Sequence, residues 1–290
     1  MRSRNPVFSR RGFTSGGGSY AGFNAAPQSG SATQGNPYGN NPYAQPTNPY
    51  ANNPYAQGAP DVQHGMPQAP ARSGAMTIDD VVLRTGITLA AVIVAAGAAW
   101  ALELPVGLGF GAGLIAMVLG LVQSFKAKPS PAIILAYAVF EGLFLGVLSQ
   151  AYNEVAKGAP MQAVLGTTAV FAGVLVAYKT RLIRVDRRFT RFVAGAAIGF
   201  LLLMVVNLLF AAFGGGDGLG FRTGGLGIVF GILGVVLGAC FLALDFKQVE
   251  DGVKYGAPRE ESWLAAFGLT LSLVWIYTEL LRLIAILNQD

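Results

Sequence analysis

Residues 225–246 read GLGIVFGILGVVLGACFLALDF, and no charged side chain appears before Asp245. Coiled as an α-helix at about 1.5 Å per residue, a stretch of this length spans roughly 33 Å, enough to cross a hydrocarbon core of about 30 Å. Every backbone N–H and C=O in such a core needs a partner inside the segment, so an unbroken helix is the conformation that fits. Working outward, a 19-residue hydropathy window finds six more stretches of the same kind. The seven lie near 82–103, 105–125, 131–152, 161–178, 191–213, 225–246 and 263–287. Their breaks carry Gly, Pro and charge, as at Glu103-Leu104-Pro105, Lys126 to Pro131, Gly158-Ala159-Pro160 and the run Gly214 to Gly218.

The whole composition agrees with these windows. Of 290 residues, 53% are hydrophobic and 12% charged, with a mean hydropathy of +0.50, against roughly 25% charged in a soluble domain. The expected fold is an all-α integral membrane protein, a seven-transmembrane-helix bundle over residues 77–290 behind a disordered tail over 1–76. The tail is rich in Gly, Pro, Asn and Gln and repeats Asn-Pro-Tyr from Asn36, Asn41, Asn48 and Asn53, a composition that cannot bury a core. No apolar run of signal-peptide length follows Arg2, Arg4, Arg10 and Arg11, so the tail is expected to stay attached.

Orientation follows from Lys and Arg. With the N-terminus in the cytoplasm, the inner loops take Lys126, Lys128, the cluster from Lys179 to Arg191, Lys247, Lys254 and Arg259, while the outer loops take Lys157 and Arg222. The C-terminus then lies outside the cell membrane. Topology accounts for the net charge of +5, and no nucleic-acid partner is expected. The partners expected are the lipid bilayer and, in an alternative reading, a membrane protein such as a membrane-bound protease.

A single His64, in the tail, and a single Cys240 leave the spans without a histidine-based metal site, a catalytic triad or an internal disulfide. No enzyme activity and no cofactor is expected. The residues that invite a function are the ionisable groups within spans, each costly in hydrocarbon unless paired, protonated or hydrated. They are Glu141, Asp245, Glu279 and Arg282. Glu141 is placed near the midplane with no basic residue within a turn. Asp245 is placed at the inner end of its span. Glu279 and Arg282, three apart, fall on one helix face, where they can pair. Such carboxylates replace the hydration of a cation when ionised and lose that capacity when protonated. Together they suggest a cation or proton pathway, with a cation held transiently at Glu141 or Asp245.

The sequence resembles the Bax inhibitor-1/YccA family, also called the transmembrane Bax-inhibitor-motif family, in its bacterial branch with an extended N-terminal tail. The resemblance covers residues 76–290 and rests on the run Pro129 to Gly142 (PSPAIILAYAVFEG), on Leu244-Asp245-Phe246 with Val249-Glu250-Asp251-Gly252, and on Leu280-Leu281-Arg282-Leu283, with Met1 to Phe8 in support. It implies six helices around the seventh and a pH-sensitive calcium leak using carboxylates on the sixth and seventh. Asp245 matches the sixth-helix aspartate. At the seventh-helix position stands Ser272, with Glu279 two turns further on, and Glu141 is a candidate second acid. The rival reading is an interaction protein that modulates a membrane-bound protease or a stress response without conducting ions.

Overall fold

The computed structural model describes residues 74–214 and 223–288, so the expected disorder of the tail falls, up to residue 73, outside the described residues. Seven helices follow: α1 (Ile78–Ala101), α2 (Val106–Phe125), α3 (Pro131–Val155), α4 (Ala159–Lys179), α5 (Arg187–Gly214), α6 (Gly224–Lys254) and α7 (Glu261–Leu287). All seven are long and apolar enough to cross a membrane.

Local chemistry sets their ends. Thr77 caps α1 by accepting from the Asp80 amide at 3.1 Å, with Asp79 and Asp80 against the positive end of the helix dipole. Pro131 opens α3 and Pro160 opens α4, where a missing N–H costs nothing. Gly158 precedes α4 at φ +84°, and Gly256 turns the α6–α7 connection at φ +65°, backbone that a side chain disfavours.

The pairing of helices follows their small residues. Along α3, Gly142 sits against the Val92 backbone and Ala95 of α1, and one turn later Gly146 sits against Ala96 and Ala99, so these two helices run parallel with backbones in contact. Gly109 and Gly113 of α2 receive Val147 and Phe144 from the opposite side of α3. The most buried span is α7, which touches all the other helices. Thr270 bonds Thr88 of α1 at 3.0 Å, Phe267 stacks edge-on with Tyr137 of α3 and joins Ala116 of α2, and Leu280 packs on Gly166 of α4. Trp275 meets Phe200 of α5, and Ser272 bonds Asp245 of α6. By contrast, α5 packs on α6 and turns Leu201, Leu202, Leu208 and Phe210 outward. In a seven-helix membrane protein, that face meets lipid.

Two connections tie the end of the bundle that carries the basic loops. Met76 N–H donates to Ala257 C=O and Arg259 N–H donates to Gly74 C=O, both at 2.8 Å, so Gly74–Met76 pairs antiparallel with the α6–α7 loop. Arg259 also binds Asp80 through Nε at 2.8 Å and Nη2 at 2.7 Å, and that carboxylate holds its guanidinium above the ordinary value.

Candidate functional site

The candidate residues sort into two levels. Glu141 stands ten residues into α3 and Asp245 nine residues before the end of α6, so each lies roughly 14–15 Å from the basic end. Asp245 stands at the end of the apolar part of α6, and the helix runs on past it for two and a half turns through Gln248, Glu250, Asp251 and Lys254.

The Asp245 carboxylate is gripped by α7. Its Oδ2 accepts from the Ser272 hydroxyl at 2.5 Å, and its Oδ1 lies 3.0 Å from where a Cβ on Gly268 would stand. Gly268 and Ser272, four residues apart, form one notch for the carboxylate. Lys247, two residues on, points elsewhere and pairs with Asp251 at 2.6 Å. Among the described residues no basic side chain pairs with Asp245.

Glu141 shares the stripe of α3 that carries Tyr137, Ala138, Leu145 and Ser149. Tyr137 meets Phe267, and Ser149 hydroxyl lies 2.6 Å from that of Tyr277, so α3 and α7 run in step and half-buried Glu141 sits level with the region of Thr270 to Ser272. It therefore matches Asp245 in depth but lies on another side of α7. The backbones of α3 and α6 do not come close to each other, and the partner that meets Asp245 is Ser272. Thr88 and Thr270 add a hydroxyl pair at this level, with Thr85 Oγ1 buried and without a hydrogen-bond partner among the described residues. The result is a polar layer, about midway through the bundle, strung around α7.

The second level lies nearer the other end. Arg282 Nη2 bonds Glu279 Oε2 on the same face of α7, both residues buried. The sequence brought these two together, and the structure seats them against α6, where Glu279 Oε2 lies 2.7 Å from a Cβ built on Gly234. Arg282 Nε and Nη1 make no hydrogen bond among the described residues.

Sequence reasoning missed three polar residues. Asp80 carried a signal in Thr77-x-x-Asp80, the spacing of a capping box, but its bond to Arg259 bridges 179 residues. Gln123, fully buried, accepts from the Ser130 amide at 3.1 Å and fixes the α2–α3 turn. Thr88 looked like any span threonine.

A family sequence profile described as "Bax inhibitor 1 like" matches residues 5–289. The chain belongs to the Bax inhibitor 1 family. No curated protein matches it. Within this family's membrane fold, the carboxylates described above are the groups whose burial calls for an account. The match begins at residue 5, so it takes in the Asn-Pro-Tyr repeats as well as the bundle.

Proposed function

We propose that this membrane protein is a pH-sensitive cation leak, with calcium as the ion to test first, Asp245 and Glu141 as the acids of the midplane layer, and Glu279–Arg282 as the outer closure. The orientation that goes with this reading puts the basic loops in the cytoplasm. The observation that carries it is Asp245, a carboxylate of a spanning helix turned onto α7, held by a serine hydroxyl and by no basic side chain among the described residues. A carboxyl so placed is expensive to keep as a mere packing element. Ionised, it supplies oxygen to a dehydrating cation. Protonated, it becomes a hydrogen-bond donor and gives that role up, which makes conduction depend on pH.

The test is calcium flux into proteoliposomes across a pH series, at matched protein density, with Glu141→Gln and Asp245→Asn beside the wild type. The expected result is a flux that varies with pH in the wild type and falls or loses that variation in each variant. No flux above empty liposomes at any pH overturns the leak and leaves the interaction reading.

A further inference from the structure

The turn between α4 and α5 has no part in the leak reading. Residues 179–191 read KTRLIRVDRRFTR, six basic side chains against one acid. Its backbone is folded back over the end of α4: Leu182 N–H donates to Ala177 C=O at 2.9 Å and Arg181 N–H to Tyr178 C=O at 3.0 Å, with Arg181 at φ +58°. Ile183, Val185 and Phe189 turn inward and pack against the core cluster that holds Val174 and Leu242. What faces outward is Lys179, Arg181, Arg184, Arg187, Arg188 and Arg191, all exposed, together with two large apolar side chains, Leu182 at 81% exposed and Phe192 at 71%.

Among the described residues none of these six cations forms a salt bridge. The acids alongside are engaged, Asp186 of the turn with the Phe189 amide at 2.7 Å and Glu250 of α6 with the Tyr178 hydroxyl. Elsewhere at this end of the bundle Lys247 pairs with Asp251 and Arg259 with Asp80. Topology needs basic residues in a loop, but it is served equally by paired and unpaired ones and asks for no exposed leucine or phenylalanine among them. A turn that joins two spanning helices lies at the membrane surface, where the phosphates of anionic lipids supply the missing counter-charge. An exposed apolar side chain among cations at that depth can enter the boundary between headgroups and acyl chains.

We infer that the α4–α5 turn is a docking surface for anionic phospholipids, whose headgroup phosphates its arginines take while Leu182 and Phe192 enter the acyl boundary. A guanidinium suits this task because its fork of N–H donors matches a phosphate's oxygens. The surface stands apart from Asp245 and Glu141, so it holds whether or not the protein conducts ions.

The experiment uses the full chain in a neutral detergent, titrated with phosphatidylglycerol or with phosphatidylcholine of the same acyl chains. Bound lipid is counted by native mass spectrometry, and the thermal midpoint is followed in parallel. The variants are Arg187→Gln/Arg188→Gln, Leu182→Asn, which keeps every charge, and Lys126→Gln/Lys128→Gln, which removes the same charge from another loop. All five side chains are exposed, so each variant without added lipid is expected to unfold at the wild-type midpoint. The wild type is expected to hold phosphatidylglycerol in preference to phosphatidylcholine and to gain midpoint from it. Arg187→Gln/Arg188→Gln is expected to weaken that binding roughly fivefold per arginine, or roughly 25-fold in all, and the lysine pair to leave it near wild type. Leu182→Asn is expected to weaken it as well. The inference falls if the wild type holds both lipids alike, if the two double variants lose phosphatidylglycerol alike, or if Leu182→Asn loses none. It falls too if inorganic phosphate or a poly-glutamate peptide raises the midpoint as much as the lipid does, results that would make the turn a site for a soluble anion or an acidic protein.

Discussion

At the scale of single residues, the glycines under the carboxylates decide where charge can sit. A Cβ at Gly268 would stand 3.0 Å from Asp245 Oδ1, closer than ordinary van der Waals contact, and the Ser272 hydrogen bond to Oδ2 leaves the carboxylate little room to rotate away. Gly268→Ala is therefore expected to displace the carboxylate and weaken the Ser272 hydrogen bond, worth roughly 1.5–3 kcal/mol when the acceptor is charged. Gly86→Ala, where a Cβ meets nothing within 4 Å, is the matched control. The measurement is thermal unfolding and calcium flux on both: Gly268→Ala is expected to lower the midpoint and alter the pH profile as Asp245→Asn does, and Gly86→Ala to leave the profile as in wild type. The residue types involved were legible in the sequence. The notch was not, since Gly268 and Ser272 acquire their meaning from an aspartate on another helix.

At the scale of elements, the parallel α1–α3 pair is held by backbone contact. A Cβ at Gly142 would overlap the Val92 carbonyl oxygen, and one at Gly146 the Ala96 carbonyl oxygen, obstacles that no rotamer change removes. Gly142→Ala is expected to push the helices apart and cost about 1–3 kcal/mol, the range of overpacked core substitutions. On the loosely attached α5, Gly195 and Gly199 face open space, and alanine there is expected to be neutral or to stabilise by up to about 1 kcal/mol through helix propensity. Size-exclusion profiles and thermal unfolding of Gly142→Ala beside Gly195→Ala check both. Gly142 and Gly146 stand four residues apart, yet Gly107 and Gly111 share that spacing and meet nothing within 4 Å. Spacing shows that close approach is permitted, and the partner helix decides where it happens. One helix end was less legible than the helices: the apolar window stops near 246, while α6 continues to Lys254 on polar residues because a helix leaving the membrane can still bond its own backbone.

At the scale of the whole molecule, α7 collects the contacts of every other helix, and the segment just after the tail is fastened to the loop that leads into it. Met76 is 4% exposed and packs with Val81, Leu242, Ala243 and Leu269, the last three neighbours in sequence of the Asp245–Gly268 contact or within one turn of it. A chain beginning at residue 74 keeps this anchor and is expected to unfold at the temperature of the full chain. A chain beginning at residue 77 loses Met76 and both backbone bonds to the α6–α7 loop, and its midpoint is expected to fall, with faster amide exchange over Ala257 to Arg259. Equal midpoints and equal exchange in the two truncations would show that the pairing does not hold the loop.

The sequence by itself determined that this is a seven-helix membrane protein of the Bax inhibitor 1 family and which few side chains are costly within it. Transfer from water to lipid depends on each segment's own composition, and a family is written in its residues. Tertiary structure alone decided what each of those side chains meets: Ser272 and Gly268 for Asp245, Gly234 for Glu279, Arg259 for Asp80, and for Glu141 a place at matching depth on another side of α7. Such meetings depend on the register between helices, and register is set by the packing of every contact along a seam at once. No single segment contains it.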